Sequence, residues 1–191
     1  LDRNQEMRRF FELNKYTQRL APREALFGGR TQVYQSLAEA SDSEQLEYYD
    51  FNSMYPYLNA GGTEYPRGNP EVITDGVPKP DQPLNKRGLV YCDVLPPVSA
   101  PMGLLPSRIQ SKLMFPLCRT CAEDQLTDKE CPHRLVSERF LTGVWTTDEL
   151  EKAVSAGYKV LKYHEIWHWN DWVKGGFFAA YIKPLLKIKH E

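Results

Sequence analysis

The 191-residue chain has no apolar run near the roughly 18 residues a membrane-spanning helix needs. Its N-terminus also lacks the hydrophobic core of a signal peptide. Neither membrane insertion nor secretion is expected. Charge of one sign is missing too: 24 Lys and Arg against 25 Asp and Glu leave a formal net charge of -1. So balanced a chain is not, as a whole, an electrostatic magnet for nucleic acid, although local basic strips stay open to it. Cysteine is scarce, at four residues, and three of these cluster beside a histidine. That pattern suits a metal site better than a disulfide framework, and it fits an intracellular, reducing compartment, nucleus or cytoplasm. No internal repeat or low-complexity tract is present. The first residue is Leu1, as expected of a segment excised from a longer chain.

What is there supports a folded chain. Hydrophobic residues reach 41%, enough for a packed core, and the length suits one domain or two closely packed subdomains. Eleven Tyr, eight Phe and four Trp are a heavy aromatic load, suited to sheet surfaces and flat contacts.

Patterning predicts a mixed α+β fold. Residues 2–20 read as a helix with spaced apolar positions, broken at Pro22. The Gly28-Gly29 pair then permits positive φ and close backbone approach. A short strand is expected over 46–51 and a helix over 53–59. Residues 61–87 hold much of the Gly and Pro, so they read as an extended loop, too proline-rich for a central strand. "RGLVYCDVLPP" predicts a strand ended by Pro96-Pro97, and "SRIQSKLMFPL" a further strand or hairpin arm. "TTDELEKAVSAGY" predicts a short helix capped by Thr146, with Glu149 completing a capping box and Gly157 stopping it. "YKVLKYHEIWHW" reads as a strand, and the stretch from Asp171 as a helix perturbed by Gly175-Gly176 and Pro184.

Cys118, Cys121, Cys131 and His133 lie in "CRTCAEDQLTDKECPH". A Cys-x2-Cys pair lets two thiolates of one tight turn reach a single ion, and the second pair can close the tetrahedron from the far side of the loop. Three thiolates and an imidazole are the donors zinc prefers, with no position left for a catalytic water, so the expected role is structural. The competing reading is three reduced thiols in an ordinary loop. Cys92, within a strand, reads as a small buried hydrophobe. His164 and His168, on either side of Trp167, read as packing or surface residues.

"YYDFNSMYPY" places Asp50 between a strand-like run and a helix. A carboxylate at such a corner, beside exposed backbone N–H groups, can hold a divalent cation and the phosphates bridging to it. It can equally cap the helix. Spacing alone leaves both open.

The stretch "DFNSMYP" resembles motif A of family B DNA polymerases, usually Asp-x-x-Ser-Leu-Tyr-Pro, with Met54 in place of Leu. Upstream, "ALFGGRT" resembles the Tyr-x-Gly-Gly element that joins exonuclease and polymerase modules, with Leu26 where Tyr is usual. "YPRGNPEVI" and the cysteine block running into "GVWTTDELEKAVSAGYKVLKYHEIWHW" are similar to the protein-primed branch, and within it to polymerases of Polinton (Maverick) elements and related viruses. Together these cover roughly residues 22 to 191.

The resemblance implies a partial polymerase palm carrying a small zinc-binding insertion. Its implied divisions are a linker or helix with the Gly-Gly element over 1–30, partial palm with motif A over 31–100, a hairpin and zinc loop over 101–145, and a closing helix-strand-helix over 146–191. It implies that Asp50 holds catalytic Mg2+, with the Phe51 backbone completing the metal shell. Asn52, Ser53, Met54 and Tyr55 would cradle the triphosphate, and the Tyr55 ring would exclude a ribose 2′-OH. Gly28, Gly29 and Arg30 would track template phosphate. Primer-template DNA and a dNTP would be the partners of a complete enzyme. The family's Asp-Thr-Asp and Lys/Asn-Ser-x-Tyr-Gly motifs, and its three exonuclease motifs, are not in these 191 residues. The chain alone is therefore expected to be inactive. The alternative is a polymerase relic retained as a zinc-stabilised module that binds protein or nucleic acid, for which the aromatics of "WHWNDWVKGGFF" offer a surface.

Overall fold

The structure, a computed structural model, describes residues 20–61, 63–80, 82–126 and 130–190. The expected N-terminal helix falls almost wholly outside them. In chain order a 3-10 turn, Pro22–Ala25, precedes α1 (Met54–Gly61), β1 (Glu64–Pro66), β2 (Glu71–Ile73) and β3 (Gly88–Leu95). Next come β4 (Ser107–Ile109), β5 (Lys112–Met114), α2 (Arg119–Glu123), α3 (Val136–Arg139) and β6 (Leu141–Thr146). The remainder is α4 (Thr147–Ser155), β7 (Lys159–His168), β8 (Trp172–Lys174) and α5 (Ala179–His190). The fold is α+β, with every paired strand antiparallel among the described residues. The chain forms two compact units, one running through Phe27 and over Asn69–Asn170, the other made of Gly28–Gly68 and the residues from Asp171 onward.

The first unit is built on a four-stranded sheet in the order β2-β7-β3-β6. β3 lies in the middle because "GLVYCDVL" alternates cleanly: Val90, Cys92 and Val94 are wholly buried, while Leu89, Tyr91 and Asp93 face the other side. The buried face packs on Trp145, Leu105, Leu150, Ala153, Tyr163 and Ile166. Trp145 is fully enclosed, and its indole N–H donates to the Pro106 carbonyl at 2.8 Å, so no polar group is stranded by its burial. On the second face Trp167 packs with Leu20, Ala25 and Val144. There the buried Glu165 carboxylate accepts from the Leu20 N–H at 3.2 Å and the Trp167 indole at 2.8 Å.

Local signals decide where α4 begins and ends. Thr146 Oγ1 accepts from the Glu149 N–H at 3.2 Å, and Glu149 Oε2 accepts from the Thr146 N–H at 3.1 Å, a reciprocal capping box. At the other end Gly157 takes φ +96°, which lets its N–H reach the Val154 carbonyl and the Tyr158 N–H reach that of Ala153. That pair of bonds is the Schellman closure, and it favours glycine. Gly88 is required differently: at φ +149°, a Cβ there would lie 2.1 Å from the Trp167 carbonyl oxygen.

In the second unit α1 packs on α5, and β1 pairs with β8. Tyr65 links them, donating to Asn59 Oδ1 at 2.6 Å and meeting the Phe178 ring edge-on at 5.2 Å.

Four local expectations change. Residues 46–51 are exposed and lie in no strand, so the strand-forming side chains there have no ladder to serve. Residues 61–87 contain β1 and β2, but both lie at sheet edges, where the one proline they carry, Pro66, is tolerated. The stretch from Asp171 first forms β8 and turns through Gly175 and Gly176, both at positive φ, before α5 begins. Neither Gly28 nor Gly29 adopts the positive φ their identity permits.

Candidate functional site

Two constellations carry chemistry, one in each unit. The first is the Cys/His loop. Cys118 is the N-cap of α2 and Cys121 sits one turn later, so a single helical turn brings both sulfurs to one side. Cys131 and His133 return from the other end of the loop. The four side chains offer ligand atoms that all lie within 4.8 Å of one another. His133 Nδ1 is the common point, at 3.2 Å from Cys121 Sγ, 3.5 Å from Cys118 Sγ and 3.8 Å from Cys131 Sγ. The Cys121 and Cys131 sulfurs are 3.4 Å apart, and all the cysteines are free.

Those separations exceed the roughly 2.05 Å of a disulfide. They approach the ~3.8 Å edge of a tetrahedron with metal–sulfur bonds of about 2.3 Å. The donor set and its spacing therefore fit a metal ion held by four ligands. Burial pushes the Cys121 thiol up to about 12, with the hydrogen bonds it shares with Cys131, to which it donates, and with Cys118 adding to it. Burial acts on Cys131 in the same sense, but hydrogen bonds from Cys121 and His133 outweigh it and draw that thiol down to about 7.

The loop is fastened to the rest of its unit by residues that sequence reading missed. Thr120 Oγ1 donates to the Glu138 carbonyl at 2.8 Å, and Arg119 Nη2 donates to the Ser137 carbonyl at 2.8 Å. Arg139 is buried, and its Nη2 faces the Pro96, Pro97 and Leu117 carbonyls at 3.3 Å each. Its always-charged, planar guanidinium suits a site lined by backbone carbonyls, with the Nη2 hydrogens shared among the three oxygens. Nothing in the local pattern of "SERF" announces that role, which depends on contacts over 22 to 43 residues of chain.

The second constellation is the corner from Asp50 to Tyr55. Ser53 takes φ +55°, and the Tyr57 N–H donates back to its carbonyl at 2.9 Å as α1 begins. Pro56 lies in the first turn, where an N–H would have no helical partner, so it costs no hydrogen bond. No acidic residue occupies that first turn. Asp50 is exposed and accepts no helix N–H, so it does not cap α1. Phe51, Asn52 and Tyr55 are exposed, Tyr55 at 72%, while Met54 is half-exposed and Ser53 half-buried. Gly28 has open space around it, and Arg30 Nε donates to Gln32 Oε1 at 2.9 Å. Gly29 approaches the corner: a Cβ built there would lie 3.8 Å from the Tyr55 hydroxyl.

The remaining residues weighed from sequence are structural. Cys92 is fully buried among apolar side chains, and burial raises its thiol far above the ordinary range. His164 falls at an irregularity of β7, where Tyr91 pairs with Glu165 and Cys92 with Tyr163, so the chain passes over it. That brings His164 Nε2 to 2.9 Å from Asp93 Oδ2, with its ring 4.7 Å from that of Tyr91. His168 Nδ1 accepts the Arg87 N–H at 2.9 Å. Of the aromatic run, Trp167 is core, while Phe177 and Phe178 stack on Tyr65 and stay partly exposed.

No helix among the described residues is long and apolar enough to cross a membrane. The family model for "DNA polymerase type B, organellar and viral" matches residues 13–191. No curated protein and no solved structure matches the chain.

Proposed function

Because the chain belongs to the type B DNA polymerases, organellar and viral, we propose that its Asp50–Tyr55 corner binds the divalent cation and the deoxynucleoside triphosphate of templated DNA synthesis. DNA template and nucleotides are the substrates of that family. The observation that carries the reading is the exposed Asp50 carboxylate, engaged with no helix N–H, just ahead of a helix whose first turn holds no acid.

The unpaired N–H groups of that first turn, with the positive end of the helix dipole, favour an anionic phosphate. Asp50 would hold the Mg2+ ion, which neutralises charge developing on the transferred phosphoryl group. Phe51 to Met54 would present backbone N–H groups to the triphosphate. Tyr55, with its ring in solvent, would lie under the incoming sugar and reject a 2′-OH by steric clash. Gly28, Gly29 and Arg30 would follow template phosphate.

Within the family we assign the chain to the protein-primed branch of Polinton type, on the sequence features given above. The Cys118, Cys121, Cys131 and His133 cluster would hold structural zinc, since four protein donors leave no position for water. Two-metal transfer needs a second carboxylate, and the Asp-Thr-Asp pattern is not in these 191 residues. Taken alone they would not extend a primer, and they would require a segment that supplies it. The test is primer extension with Mg2+ and dNTPs, by these residues alone and joined to such a segment. Synthesis only in the second case, abolished by Asp50→Asn, is expected. Synthesis that survives Asp50→Asn would overturn the reading.

A further inference from the structure

We propose that Tyr65 is a positioning residue of the nucleotide corner: its hydrogen bond to Asn59 sets the roll of α1 about its axis, and so the place of the Tyr55 ring. The proposal rests on the reading of Tyr55 as the residue that rejects a ribose 2′-OH.

α1 has little of its own to fix that roll. Its eight residues are too few for a helix to be stable by itself, so neighbours must orient it. It buries one side chain, Ala60, whose single methyl group restrains rotation about the helix axis only loosely. Tyr55 and Tyr57 both stay in solvent. A directional bond supplies what packing does not. Tyr65 donates to Asn59 Oδ1 at 2.6 Å, within the ordinary range for two oxygens. Asn59 stands four positions after Tyr55, one turn on, and therefore on the same face of α1. Whatever holds Asn59 holds the face that carries the Tyr55 ring. Thr63 Oγ1 adds to the anchor, lying 2.9 Å from both the Tyr65 hydroxyl and the Leu58 carbonyl, between which its one proton is shared. Leu58 offers one of the last four carbonyls of α1, which lack a partner within the helix.

Tyr65 is itself well fixed. Its strand β1 is paired with β8, and its ring meets Phe178 edge-on at 5.2 Å and Phe177 at 5.9 Å. The turn that leads into those two rings also abuts the end of α1. A Cβ on Gly175 would stand 3.4 Å from the Gly61 carbonyl oxygen, and one on Gly176 3.6 Å from that of Ala60. Tyr65 thus ties the face of Tyr55 to the paired strands and the glycine turn of the second unit.

The test is the ratio of kcat/KM for matched dNTP and rNTP pairs, in these residues joined to the segment that supplies the second carboxylate. Tyr65→Phe keeps the ring but removes the donor, and should lower the ratio about three- to tenfold, the scale of one hydrogen bond. Asn59→Leu removes the acceptor and should lower it equally, the double variant losing no more than either alone. Should Tyr65→Phe fail to fold by circular dichroism, Asn59→Leu carries the same test. In a Tyr55→Val background, where the ratio has already fallen, Tyr65→Phe should change nothing further. A merely structural role would reduce the amount of folded enzyme and both rates together, leaving the ratio as it was. An unchanged ratio in Tyr65→Phe or Asn59→Leu, or additive losses in the double variant, would overturn the proposal while the role of Tyr55 stands. An unchanged ratio in Tyr55→Val would overturn that role, and the proposal with it.

Discussion

Gly29 and Tyr55, 26 positions apart in the chain, meet in the structure: a Cβ on Gly29 would stand 3.8 Å from the Tyr55 hydroxyl. The two residues belong to separate sequence elements, the Gly-Gly pair and the "DFNSMYP" corner, and folding within one unit brings them together. Because Gly29 has no positive φ and 3.8 Å is ordinary contact, Gly29→Ala should be tolerated. Gly29→Leu would press on the Tyr55 ring. In a complete polymerase, Gly29→Leu and Tyr55→Val should both relax discrimination against ribonucleotides, the latter by about a hundredfold, the scale of a lost steric element in a pocket. Incorporation ratios for matched rNTP and dNTP pairs measure this, and unchanged ratios in Tyr55→Val would remove the tyrosine from that role.

Asp50 is exposed and caps no helix, so Asp50→Asn should leave the thermal transition of the isolated chain within about 1 °C, as surface substitutions usually do. Its effect on primer extension by the complete enzyme should be a loss of at least a thousandfold, since the carboxylate would be replaced by a weaker, neutral metal ligand. A variant that loses activity together with its fold would instead make Asp50 structural.

The Cys/His cluster should bind close to one equivalent of metal per chain, measured by plasma emission spectroscopy on protein purified with zinc. Cys121→Ser and His133→Ala should each lower the occupancy below half. Acid should release the ion, because the ligands act as thiolate and neutral imidazole and protons compete for them. Retention at pH 8 and progressive loss on acidification is the expected course. Binding unaffected by either substitution would place the metal elsewhere.

Trp145→Ala should destabilise the first unit by about 3–5 kcal/mol, because it opens a large cavity in the core beside β3 and orphans the Pro106 carbonyl. Thr146→Ala, which removes only the cap of α4, should cost about 1 kcal/mol. Urea titration of both variants tests the ratio, and equal effects would mean the two residues do not differ as core and cap.

Arg139 offers a sharper test of packing. Arg139→Met keeps its length but removes every donor, leaving the carbonyls of Pro96, Pro97 and Leu117 without this partner. Proteolysis should then cut first in the loop between Leu117 and Arg139, at a lower protease concentration than in the parent chain. A cleavage pattern identical to the parent's would show that the loop is held by the other contacts alone.

Where a feature rests on neighbours in the chain, the amino-acid sequence by itself determined it. The capping box at Thr146 and Glu149, the stop at Gly157, the alternation of β3 and the Cys-x2-Cys turn are all set by contacts within a few residues. Tertiary structure decided what depends on distant partners. The run from Leu46 to Phe51 was expected as a strand, but a strand exists only where another supplies its hydrogen bonds, and none among the described residues does so here. Trp172 to Lys174 pair with Glu64 to Pro66 and so form a strand where helix was expected. The anchorage of the metal loop by Arg139 and the meeting of Gly29 with Tyr55 likewise arise from long-range packing, which short-range pattern does not encode.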